Sequence, residues 1–126
     1  MRSFCFAAAL LITLLGINVY CYNFIKESSI KLENNIDEIV YYLNKNDDEN
    51  VEKSFNELKE QTIESKKVWF LIINHEEIDN VDVKIKECEG YIKKEADNEL
   101  LASLNSLKFY INNIYEREKV NIPNIF

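Results

Sequence analysis

Apolar residues recur along this chain at intervals of three and four, the spacing of one face of an α-helix. Ahead of that pattern, Phe4–Tyr22 is a run of 19 residues without a charge. As a helix it rises ~28 Å, close to the hydrocarbon thickness of a bilayer. The first amphipathic segment spans about Phe24–Leu43, with Ile25, Ser29, Leu32, Ile36, Ile39 and Leu43 on one stripe; no breaker separates it from the apolar run. A second follows from about Glu49 to Asn74, carrying Val51, Phe55, Leu58, Thr62, Ser65, Trp69 and Ile72, with Asp47 or Asp48 as its N-cap. Its stripe is weak in the middle, at Thr62 and Ser65, and apolar on every side at its end, Val68–Ile73. The third segment covers about Asn80–Lys94 through Val81, Ile85, Cys88 and Ile92, capped by Asp79 or Asn80; Gly90 inside it predicts close approach of a neighbouring helix. The fourth covers about Asn98–Lys119 through Leu100, Leu104, Leu107, Ile111 and Ile114, capped by Asp97, with Pro123 ending it and the tail NIPNIF folding back or fraying.

Only two glycines and one proline occur, too few for the turns of a sheet protein. The expected fold is therefore all-α: a transmembrane or signal-anchor helix over 1–22, then a domain over 23–126 of four amphipathic helices in two antiparallel hairpins. An offset of 49 supports the hairpin reading. Between Ile36–Lys59 and Ile85–Lys108, nine of 24 positions are identical, among them Tyr42/Tyr91, Asp48/Asp97, Ser54/Ser103 and Leu58/Leu107. Two such units either close into an up-down bundle, which the 3-4 spacing favours, or stack like tetratricopeptide repeats.

The apolar run has the length of an uncleaved anchor. A cleaved signal peptide wants small residues before its cut, and Val19-Tyr20-Cys21 meets that poorly; a lipoprotein signal wants Gly, Ala or Ser where Tyr20 stands. Arg2 on one side and Lys26 and Lys31 on the other nearly balance, but the very short N-terminal flank reads as an export signal. The expectation is a single-pass protein of the cell membrane with its C-terminal domain outside the cytoplasm, or a secreted one if the segment is cleaved. The net charge is −7, from 22 acidic and 15 basic residues, which disfavours nucleic acid as a partner.

Candidate chemistry is sparse. Of the three cysteines only Cys88 lies beyond the apolar run and its end, on a helix stripe where a buried inert thiol is expected. Asn74–Asp82 joins the second and third segments and holds the only histidine. His75, Glu76, Asp79 and Asp82 make a possible oxygen-and-imidazole metal set. The blander reading gives Asp79 and Asp82 to helix capping and His75 to the negative C-terminus of the second helix. Trp69, Phe70 and Ile73, with His75 and Asp79, form a candidate partner-binding surface, against the alternative that the apolar three are core. Tyr41, Tyr42, Tyr91, Tyr110 and Tyr115 could line a groove, although such rings more often sit at a core rim. No phosphate-cradling glycine loop occurs, and Ser54 and Ser103 lack a distinguishable histidine, so no catalytic residue, enzymatic activity or cofactor is expected.

The stretch Trp69-x-x-Ile72, Asn74-His75-Glu76-Glu77-Ile78-Asp79-Asn80-Val81-Asp82-Val83, Tyr91-Ile92, Leu107-Lys108-Phe109 and Asn124-Ile125-Phe126 resembles the family called domain of unknown function 4363. Asn74 departs from it, since an Asp before the His is commoner. The resemblance covers essentially the whole chain. It implies a short bacterial protein, membrane-anchored and helical, and implies no activity. Together these readings predict a non-enzymatic module that binds another protein, with an exported metal- or ligand-binding protein built on His75–Asp82 as the alternative and a hydrolase behind both.

Overall fold

The computed structural model describes the backbone of residues 1–125 and the side chains of residues 1–117. It contains four helices, α1 (Arg2–Asn44), α2 (Asp48–Ile72), α3 (His75–Lys93) and α4 (Asp97–Ile125), and no strand among the described residues. The expected anchor and first amphipathic helix are thus a single element. With neither proline nor a turn between Tyr22 and Phe24, the hydrogen-bond ladder runs on, and 43 residues give a rod of about 65 Å. Its first half carries the one described segment long and apolar enough to cross a membrane, and none of that window is buried in the protein.

Beyond Asn23, α1 joins α2, α3 and α4 in a helical bundle. The stripes read from the sequence are its core: Leu32, Ile36 and Ile39 from α1, Leu58 and Trp69 from α2, Val81 and Cys88 from α3, and Leu104, Leu107 and Ile111 from α4 are buried in one cluster. α1 packs along α2 and along α4, and α3 along α4, whereas the α2–α3 seam is the least extensive. Polar links tie each pair. Asn35 donates from Nδ2 to the Ser54 carbonyl at 2.9 Å, and Trp69 donates from Nε1 to Ser28 Oγ at 3.0 Å. Lys108 meets Asp37 at 2.7 Å, and the rings of Tyr22 and Tyr115 lie 6.4 Å apart. Ser103 donates to Glu87 at 3.3 Å, and Arg117 pairs with Glu77. The thin seam holds Lys59–Glu89 at 3.6 Å and Lys66–Asp82 at 2.9 Å.

The offset of 49 reappears in the backbone. α1 and α3 end at Asn44 and Lys93, and α2 and α4 begin at Asp48 and Asp97. Both turns pass through a left-handed residue, Asn46 at φ 56° and Glu95 at φ 55°. Asp47 N–H reaches back to the Tyr42 carbonyl and Asn46 N–H to Leu43, while Ala96 N–H reaches Tyr91 and Glu95 N–H reaches Ile92. These are two copies of one Schellman stop, which satisfies carbonyls left open at a helix end.

Four expectations change. Asp97 is the first residue of α4, and Ala96, whose carbonyl accepts from Leu100 N–H, stands before it. α3 starts one turn earlier than Asn80, because Asn74 caps it by accepting from Glu76 N–H at 3.0 Å; Asp79, Asn80 and Asp82 are therefore mid-helix. α4 does not stop at Lys119 but continues through Pro123 to Ile125, the proline forgoing one N–H bond to the turn before it. The expectation for the NIPNIF side chains and for Phe126 lies outside the described residues. Gly90 marks no close approach, since a Cβ there would meet nothing within 4 Å.

Candidate functional site

Ile73 and Asn74 make the whole connection between α2 and α3. Ile73 adopts extended backbone, and Asn74 then opens α3 with its side chain, as a short amide does at an N-cap. Asn74, where the family resemblance expects Asp, keeps that capping chemistry. His75 is thereby the first residue of α3, at the positive end of a helix dipole and not at the C-terminus of α2. Glu76 and Glu77 in the same turn complement that dipole. His75 is exposed and its ring lies 5.5 Å from that of Phe70.

The candidate metal set does not come together. Asp82 is occupied by Lys66, whose Nζ lies 3.0 and 2.9 Å from its two oxygens. Among the described residues no three His, Cys, Asp or Glu side chains are grouped so as to hold a metal ion. The candidate partner surface also divides. Trp69 is 0% exposed and Ile73 is buried, so both are core, with the indole N–H spent on Ser28. Phe70, Leu71, His75 and Asp79 remain outside. A helix stripe admits only some of six consecutive apolar residues: Trp69 points inward from α2, and Ile73 is buried from the extended connection that follows it. Of the tyrosines, Tyr42, Tyr91, Tyr110 and Tyr115 are half-buried at the core edge, and Tyr41 is exposed with its ring against Tyr42. Cys88 is fully buried, and burial pushes its thiol up to about 12, which leaves it protonated and inert at neutral pH.

A feature the sequence did not signal lies between α1 and α2. Phe24, Glu27, Ser28 and Lys31 of α1 and Glu60, Gln61 and Glu64 of α2 line a groove of about 420 Å³. Three of the four charged groups on it are carboxylates. At its edge the Gln61 Oε1 is buried and accepts no hydrogen bond. Ser29 Oγ, buried in the core, is in the same state. Gln61 escapes a periodicity reading because it stands one residue off the stripe, next to Thr62. A smaller groove of about 300 Å³ follows the loose α2–α3 seam, but its Lys59, Lys66, Asp82 and Glu89 are already paired with one another.

A family model described as "Domain of unknown function (DUF4363)" matches residues 19–125. No curated protein and no solved structure matches the chain.

Proposed function

The chain belongs to the DUF4363 family, and from that premise we propose that it is a non-enzymatic module, tethered to the cell membrane by residues 4–22 with its bundle outside the cytoplasm, that binds another protein. The four helices are read as two antiparallel hairpins closed into an up-down bundle. The α1–α4 packing and the single core support closure over an open tetratricopeptide-like stack. The docking site is the α1–α2 groove. Its occupant is a basic side chain of the partner, carried on an apolar neighbour: Glu27, Glu60 and Glu64 supply the charge, and Phe24 the apolar wall.

The groove's charge is the observation that carries this reading: three carboxylates stand against one lysine on its lining. The test is crosslinking in the native membrane followed by mass spectrometry, comparing the natural chain with Glu27→Lys, Glu60→Lys and Glu64→Lys combined. All three residues are exposed, so circular dichroism of the variant should match the natural chain. Loss of one specific crosslinked protein supports the groove. An unchanged set of crosslinked proteins refutes it. Glu60→Gln with Glu64→Gln should give an intermediate loss, because charge is removed without being reversed.

A further inference from the structure

The α2–α3 connection exposes apolar surface that the bundle does not use. Leu71 is 79% exposed and Phe70 is 44% exposed, within the charge-free stretch Val68–Ile73. Their position along the molecule is fixed by contacts to α1. Trp69 sits against Ser28, six residues past the end of the charge-free segment at Tyr22. Six residues of helix rise ~9 Å, and α2 runs back toward the anchor from Trp69, which sets Leu71 roughly 6 Å above Tyr22. The polar headgroup zone on each side of a bilayer is about 5–8 Å deep. Rings at the same end repeat the message: Tyr20 and Phe24 lie 6.5 Å apart on α1, and Tyr115 of α4 meets Tyr22, as aromatic residues do at a membrane–water boundary. Because α1 is unbroken from Arg2 to Asn44, no hinge lets the bundle swing away from that boundary.

We propose that the Phe70–Leu71 corner is a second membrane contact, inserted among the headgroups of the leaflet from which the bundle emerges, so that the bundle stands on the bilayer at two points. This rests on the anchored reading of residues 4–22. The occupant is lipid and not a second copy, because the corner lies beside the anchor and at headgroup height. Its attraction is apolar: Lys66, whose Nζ lies 5.9 Å from the Phe70 ring centre, is held by Asp82, and the neighbouring Lys67 is held by Glu64, so a zwitterionic surface serves.

The test uses the full chain in phosphatidylcholine vesicles with Cys5→Ser and Cys21→Ser, leaving the buried Cys88. An environment-sensitive fluorophore is attached in turn at Leu71→Cys, Ile12→Cys within the apolar run, and Tyr41→Cys at the far end of the bundle, with helicity checked for each. The expected result is a blue-shifted Leu71 probe, relative to the Tyr41 probe, that is quenched by lipids carrying a shallow spin label; Ile12 should be quenched by deep ones. A quenched Ile12 probe with a water-like Leu71 probe overturns the second contact and leaves the anchor standing. A blue-shifted Leu71 probe that no labelled lipid quenches shows a second copy covering the corner, which also overturns it. An unquenched Ile12 probe removes the anchor and this inference with it.

Discussion

Replacing Trp69 by Phe separates a folding role from a docking role at the residue that looks most like a hot spot in the sequence. The indole is 0% exposed and its N–H donates to Ser28 Oγ at 3.0 Å, joining α2 to α1. Two losses follow. The smaller ring leaves a void of roughly 40 Å³, which at ~24 cal/mol per Å³ costs about 1 kcal/mol. The missing hydrogen bond costs about 1 kcal/mol more, held down because Ser28 still donates to the Ile25 carbonyl. The sum, about 2 kcal/mol, is a large share of the ~5–15 kcal/mol that holds a domain together. Urea unfolding of the full chain in a mild detergent, followed at 222 nm over the constant helical signal of the apolar first half of α1, should show that loss as a lower midpoint at unchanged slope. A double-mutant cycle with Ser28→Ala should return about 1 kcal/mol of coupling. A loss below about 0.5 kcal/mol, or no coupling, would refute the packing argument. So would loss of the crosslinked partner from Trp69→Phe under conditions where the variant is fully folded, since that outcome makes the indole a contact.

Three further outcomes follow from local geometry. Gly90→Ala should raise stability by about 0.5–1 kcal/mol, because the site is helical and its new methyl meets open space; a lower midpoint would contradict it. Glu95→Asn should also stabilise, by up to ~1 kcal/mol, since Glu sits in the left-handed stop position that Asn46 fills in the matching turn, and thermal melting of the two variants would show whether they add. For Cys88 the folded thiol titrates at about 12 against an ordinary 9.0, so the thiolate belongs to the unfolded chain. Stability is unaffected below the unfolded value, falls as pH rises through 9.0 and stops falling near 12; alkaline unfolding of Cys88→Ala should lack that component, and iodoacetamide at pH 8 should modify Cys88 only after urea is added.

The core was legible because it is written as periodicity: Leu32, Ile36, Ile39, Leu58, Leu104, Leu107 and Ile111 are each buried where their stripe puts them. The turn after α1 was legible as a polar run with Asp47 or Asp48 as cap, and Asp47 is the one that accepts from Asn50 N–H. What failed to read out has physical causes. The stripe placed Trp69 inward, but periodicity falls silent where every position is apolar, so Val68–Ile73 did not reveal that Ile73 is buried in place of Ile72 while Phe70 and Leu71 turn out. Asn74, Asp79 and Asn80 are all competent caps, and only the buried Ile78 one turn before Val81 shows that Asn74 is used. Gly90 is a cost in the helix with no packing return, a possibility that composition alone does not separate from close approach. The α1–α2 groove depends on how two helices lean together, information that a single stripe does not hold.

The 49-residue offset separates features that both halves of the bundle share from those particular to one half. The turns are common property, down to their hydrogen bonds. So is the polar link beneath them, though its chemistry differs: Asn35 donates to the Ser54 carbonyl in the first half, and at the matching positions Lys84 holds Glu87 at 2.8 Å, which in turn accepts from Ser103. The groove recurs as well. Asn74, Glu76, Glu77, Asn80, Tyr110, Asn113 and Arg117 line a smaller one of about 190 Å³ between α3 and α4, and five of these stand 49 residues beyond Glu27, Ser28, Lys31, Gln61 and Glu64. A groove at this place therefore comes from the way the paired helices lean together, and each half lines it with its own charges. In the second half the acidic residues are Glu76 and Glu77 on α3, and Arg117 pairs with Glu77 across the groove. In the first half Glu60 and Glu64 put the carboxylates on α2, where α4 has Phe109 and Asn113, and no arginine answers them. That change of sign balance, and not the cavity itself, is what distinguishes the α1–α2 half.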